Sequence, residues 1–123
     1  MCNNGNGSGI AEILEKIILL QRFDVNTQAG CTKPILGEIS GINANTRPIN
    51  IYTCCNGTIW SMPYGDAEES TVFRIESINE NCATFRILES TEAGYTATNS
   101  YFTINLNCVS CITCLDDTLV TNL

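Results

Sequence analysis

The chain has 123 residues, enough for one domain with a modest core. Thirteen acidic against six basic residues give a net charge of −7, which repels phosphate backbones and anionic headgroups and argues against nucleic-acid or membrane partners. The longest apolar run, Ile17 to Leu20, falls far short of the roughly 20 residues that span a bilayer, and no export signal is expected from the opening residues.

Eight cysteines and no histidine form the unusual feature. A reducing cytosol selects against idle thiols. An unexported chain this rich in them is expected to hold metal, to do redox chemistry, or to meet an oxidising environment after synthesis.

In chain order, residues 1–9 (MCNNGNGSG) are too polar and glycine-rich to bury a core and read as a flexible arm that carries Cys2. The single domain then runs over 10–123. It opens with an amphipathic helix over 10–22, where Ile10, Ile13, Leu14, Ile17, Ile18 and Gln21 follow the spacing of one helical face. Ser8 or Gly9 is the expected cap, and Glu12 is expected in the first turn, where the helix dipole favours an acid. The stripe is expected to dock inside the same domain.

After residue 34 the period changes to alternation, with β-branched residues divided by turn formers. RPINIYTC and TIWSM flank Asn56-Gly57, which suits a two-residue hairpin turn. TVFRIESI and CATFRIL flank NEN as a second hairpin. There Phe73 and Ile75 share one face with Ala83, Phe85 and Ile87, while Arg74, Glu76, Thr84 and Arg86 share the other. Residues 89–100 read as a polar loop, and Glu68-Glu69 as an exposed one. In YFTINLNC, Phe102, Ile104, Leu106 and Cys108 alternate onto one side. Six to eight short strands without interleaved helices predict a mainly β fold, an antiparallel β-sandwich or barrel of jelly-roll-like kind with one N-terminal amphipathic helix.

The cysteines can then be weighed. If the strand runs through residues 108–114, Cys108 and Cys114 face one way and Cys111 the other, so three sulfurs do not converge on one ion. A four-cysteine zinc site would need a second CxxC or histidine, which are absent, and an iron-sulfur run would need a fourth cysteine followed by proline, whereas Cys114 is followed by Leu115 and Asp116. A redox CxxC belongs at a helix N-terminus, whereas this one sits among strand residues near Asp116 and Asp117, which oppose thiolate formation. Cys54 and Cys55 are neighbours and point to opposite faces of a strand. For Cys31 and Cys82, burial as small hydrophobic side chains competes with cross-linking. With no histidine to activate a nucleophile, only two lysines, and no phosphate-cradling glycine loop, no enzyme activity, cofactor or metal site is expected. A cysteine-rich zinc-binding module remains the alternative.

The blocks ANTRPINIYT (44–53), TVFRIESINENCATFRIL (71–88) and FTINLNCVSCITCL (102–115), in that order behind the helix, resemble the cysteine-rich spore coat and exosporium proteins of the CotY/CotZ/ExsY type. The chain departs from that pattern in being shorter across 89–100 and in carrying Ser110, with its thiol at Cys111. The resemblance implies a structural protein of the bacterial endospore, made without a signal in the mother-cell cytoplasm and placed at the spore surface. There it would self-assemble, alone and with other coat or exosporium proteins, into a two-dimensional lattice hardened by disulfides. Cys2 leads the expected cross-linking residues, followed by Cys108, Cys111 and Cys114, then Cys54 and Cys55, with Cys31 and Cys82 ranked last.

Overall fold

A computed structural model describes residues 8–22, 38–39, 42–53, 57–66 and 68–123. The arm over 1–7, Cys2, Cys31, Cys54, Cys55 and Asn56 lie outside the described residues. The elements in chain order are helix α1 (Ser8–Arg22), strands β1 (Glu38–Ile39), β2 (Ile42–Asn43), β3 (Ile49–Thr53), β4 (Met62–Gly65), β5 (Glu68–Ser70), β6 (Phe73–Asn79), β7 (Cys82–Thr91) and β8 (Gly94–Asn105), a 3-10 turn (Leu106–Cys108) and β9 (Val109–Cys114). The fold is thus mainly β and antiparallel, with one N-terminal helix.

The apolar stripe of α1 packs as its spacing dictates: Leu14 and Ile17 are fully buried, with Ile10, Ile13 and Ile18 half-buried against the core. Burying a side chain of this size contributes about 1.5–3 kcal/mol. Ser8 begins the helix and does not precede it, so Glu12 falls in the second turn and no acid occupies the first. Near the other end, Gln21 has a further role. Strands β3 and β6 pair only at Ile49–Phe73, and the next antiparallel position would set Arg47 against Ile75. The Gln21 carboxamide stands in that gap, donating from Nε2 to Ile75 O at 3.0 Å and accepting from the Arg47 N–H at 3.2 Å.

The β6–β7 hairpin has the expected facing. Phe73, Ile75, Ala83, Phe85 and Ile87 are buried, and Glu80-Asn81 forms the two-residue turn between Asn79 and Cys82. Glu80 takes φ +58° there, a left-handed value that side chains other than glycine rarely adopt. Residues 89–100, expected as a loop, are strand: β7 and β8 pair from Leu88–Ala97 to Thr91–Gly94 around a turn at Glu92-Ala93. Their Ser and Thr side chains hide the strand because this part of the sheet is largely wet and offers little apolar alternation to read. At Asn56-Gly57 the connection is longer than two residues, because the chain closes between Thr53 and Thr58 and returns only as a bridge from Tyr52 to Ile59. Glu68-Glu69, expected as a loop, belongs to β5, a short exposed strand beside β4.

Five strands form the main sheet in the order β8-β7-β6-β3-β9. Its edges are β8 and β9, yet only Leu106–Cys108 separate them in sequence. Laid flat, edges four spacings apart would stand about 19 Å from one another, whereas the linking chain from Asn105 to Val109 reaches only about 13–14 Å. The sheet must curl, and the main core agrees: Ile49, Ile51 and Val109 from β3 and β9 share one cluster with Phe73 and Phe85 from β6 and β7. Phe102, partly buried, packs against this cluster, 4.8 Å from the Phe73 ring edge-on and 5.4 Å from Phe85 in a stack. Because β8 and β9 do not pair, the curl stays open and no closed barrel forms among the described residues; β1–β2 and β4–β5 make two further two-stranded sheets, and Met62 and Tyr64 of β4 pack against the main core.

The C-terminal tail closes a second, smaller core. Val120 packs with Val72, Leu88 and Ala97, which lets the consecutive residues Ile87 and Leu88 both be buried although they face opposite ways. Thr121 bridges Thr96 in parallel and so covers the N-terminal half of the β8 edge.

Candidate functional site: thiols on an open sheet

β9 carries two of the predicted cysteines on opposite faces. Ile112 and Cys114 turn to the core, whereas Cys111 and Thr113 are exposed, as alternation requires. Cys114 is disulfide-bonded, and Cys111 is a free, exposed thiol. Free thiols also stand at Cys82 and Cys108, so the bonding partner of Cys114 lies outside the described residues.

Cys108 does not join Phe102, Ile104 and Leu106 on the inner side. After Asn105 the chain leaves the sheet for the 3-10 turn, whose start is capped by the Asn105 side chain accepting from the Asn107 N–H at 2.8 Å, and this breaks the period-2 count and leaves Cys108 exposed. Cys82 is exposed as well and is not a core side chain. It opens β7 directly after the Glu80-Asn81 turn, opposite Asn105, where its even-numbered face looks to solvent with Thr84 and Arg86. The signal was available in the sequence: Ala83, Phe85 and Ile87 take the inner face, so residue 82 must take the outer one.

A polar lattice pins the tail that follows β9. Asp117 binds Arg47 through two contacts, Nε to Oδ1 at 2.7 Å and Nη2 to Oδ2 at 3.1 Å, with the two side chains only 1% and 7% exposed. The Asn45 carboxamide donates to Val120 O at 3.0 Å and accepts from Val120 N–H at 2.8 Å. Thr46 links this group to Arg74, whose Nε donates to its hydroxyl at 2.9 Å. No sequence signal marks the Arg47–Asp117 pair, because partners 70 residues apart leave no local pattern.

The outer face of β7–β8 has its own chemistry. Arg86 lies 5.2 Å over the Tyr101 ring, and Thr84 and Thr103 share a hydroxyl hydrogen bond of 2.8 Å. On β4, partial desolvation and the carboxylates of Glu89 and Glu68 raise the Tyr64 phenol above its ordinary value. Among the described residues, no three His, Cys, Asp or Glu side chains converge to hold a metal ion, and no helix is long and apolar enough to cross a membrane.

No curated protein and no solved structure matches the chain significantly. The family model described as spore coat protein Z matches residues 2–96. The match covers the helix, the β6–β7 hairpin and Cys82, and it stops within β8, ahead of the turn and strand that carry Cys108, Cys111 and Cys114. With well over half of its length aligned, this chain belongs to the spore coat protein Z family, whose members are structural proteins of the spore surface.

Proposed function

We propose that the protein is a self-assembling building block of the endospore outer coat or exosporium, joined to copies of itself and to other coat proteins by disulfides into a two-dimensional lattice. The observation that carries this reading is the sorting of the cysteines: Cys114 is internally bonded, while Cys82, Cys108 and Cys111 are exposed and unbonded on three different elements. An exposed thiol is a reactive liability unless something uses it. Three of them on a coat protein supply the valency that converts weak contacts into a nearly irreversible array. Cys2 is proposed as a further linker, with Cys54 or Cys55 after it. Synthesis in the reducing mother-cell cytoplasm would keep the thiols open until the shell meets oxidant.

The test is to express the chain alone under reducing conditions, expose it to oxidant, and follow it by non-reducing electrophoresis and electron microscopy. Large covalent species that collapse with reductant, and ordered sheets in the micrographs, are expected. A protein that stays monomeric under prolonged oxidation, or that carries stoichiometric zinc on its cysteines, would refute the proposal.

A further inference from the structure

From the reach of the chain between fixed residues, we infer that Cys114 is bonded to Cys31, and that this staple ties the stretch after α1 to the end of β9 within one chain. The inference stands apart from the covalent assembly proposed above and takes Cys31 out of the residues that could join copies.

Cys114 is disulfide-bonded, whereas Cys82, Cys108 and Cys111 are free. Cys2, Cys31, Cys54 and Cys55 remain as partners. A disulfide needs its two Cα atoms within about 6.8 Å, so reach decides among the four.

Cys54 and Cys55 are held too far along β3. Cys114 stands opposite Ile49, and Thr53 lies four residues beyond Ile49, about 13 Å away at about 3.3 Å per residue. The loop that follows closes on Thr53 itself, whose C=O accepts from Gly57 N–H at 3.0 Å and whose N–H donates to Thr58 O at 3.2 Å. Cys54, one step of about 3.8 Å from Thr53, stays about 9 Å or more from Cys114. Cys55 comes down to the limit only by doubling straight back along β3, away from the Gly57 that must meet Thr53 two residues later.

Cys2 is held too far along α1. Gln21, near the end of the helix, bonds Ile75 O and Arg47 N–H. Toward its start the helix shares a groove with β6, lined by Glu15, Ile18, Leu19, Ser77 and Ile78. It therefore runs down β6, away from the Phe73–Ile49 pair and from Cys114 opposite Ile49. Ser8 lies thirteen residues before Gln21, about 20 Å along the axis. The six residues back to Cys2 span about 20–22 Å only when drawn taut, and a glycine-rich stretch of that length averages about 13 Å.

Cys31 has slack. It lies nine residues past Arg22 and seven before Glu38, which allows about 30 Å from one side and about 23 Å from the other. Little of that is needed: Gln21 already joins the end of α1 to Arg47, and the next residue, Pro48, accepts from Leu115 N–H at 2.8 Å, beside Cys114. Cys114 also turns to the core against which α1 packs and not to the outer face.

The bond forms by exchange with a small disulfide such as glutathione disulfide. The thiolate of one cysteine attacks it, forms a mixed disulfide and releases one glutathione thiolate. The second cysteine's thiolate attacks the protein sulfur, forms the Cys31–Cys114 bond and releases the other glutathione, and the two thiol protons end on the two glutathiones.

The experiment alkylates the full chain in denaturant without reductant, isolates the monomer, and maps its peptides after cleavage at acidic side chains, since a cut after Glu38 separates Cys31 from Cys54 and Cys55. A peptide pair joining Cys31 to Cys114 is expected, with Cys82, Cys108 and Cys111 alkylated. Cys114 found alkylated, or joined to Cys2, Cys54 or Cys55, overturns the inference. Cys31→Ser should add one maleimide label, at Cys114, whereas Cys2→Ser adds none there. Cys31→Ser, Cys114→Ser and the double variant should lower the melting temperature equally, because each removes the same constraint on the unfolded chain; losses that add would overturn the pairing. A chain that carries this bond yet forms no covalent oligomers overturns the proposed function alone, and oligomers from a chain whose Cys114 bonds elsewhere overturn this inference alone.

Discussion

Replacing Asp117 with Asn isolates the buried ion pair without changing side-chain shape. Arg47 is 1% exposed and holds both carboxylate oxygens. The amide removes the opposing charge and one of these two acceptors from a guanidinium that is almost wholly covered. Breaking a buried pair from one side costs about 3–5 kcal/mol, most of it the penalty of the stranded charge and not the worth of the pair. The retained amide oxygen still accepts one bond, which places Asp117→Asn at about 3 kcal/mol. For a chain of 123 residues, that loss lowers the melting temperature by about 10–15 °C. Equilibrium urea unfolding followed by tryptophan fluorescence, without reductant so that the Cys114 disulfide is kept in both proteins, measures it directly. The double replacement Arg47→Met with Asp117→Leu should recover most of the loss, because removing both charges removes the desolvation cost with them. A single variant within about 0.5 kcal/mol of the parent, well below the cost of an unpaired buried charge, would refute the reasoning. It would mean that the guanidinium reaches solvent or another anion when the chain moves.

Two further outcomes follow from contacts described above. Gln21→Ala leaves Ile75 O and Arg47 N–H without the amide that joins them, so urea unfolding should show a loss of about 1–3 kcal/mol; a neutral result would mean that β3 and β6 close the gap by pairing directly. Tyr64 keeps its proton above the ordinary tyrosine range because of partial desolvation and of Glu89 and Glu68. The folded state thus binds this proton more tightly than the unfolded one, so its contribution is present below the ordinary value near 10 and is lost as pH rises through the higher folded value. Spectrophotometric titration of Glu89→Gln and Glu68→Gln should find the phenol moved back down; an unshifted titration would exclude the carboxylates as a cause.

Much of the fold was legible because periodicity survives wherever one face is dry. The Ile/Leu stripe of α1 and the facing of Phe73, Ile75, Phe85 and Ile87 follow from spacing alone. Residues 89–100 were not legible, since Thr91, Thr96, Thr98 and Ser100 give polar strands no contrast to read, and their pairing is decided by the hairpin partner. Cys108 was misplaced for a related reason: alternation cannot foresee the 3-10 turn, which depends on the Asn105 side chain capping it. Exposure of Cys82 was deducible from its neighbours, whereas the place of β9 at the end of the main sheet among the described residues was not, because strand order is a property of distant pairings.

The order of synthesis gives that strand order a temporal meaning. β3 waits for β9, more than fifty residues downstream, and Thr46 and Arg47 wait further for Thr118 and Asp117. Until residues 109–118 leave the ribosome, the rim that bears Cys111 does not exist, and pairings of such long range form slowly. Nascent chains that have not yet released these residues therefore have no finished rim, and this face of the sheet appears late in synthesis.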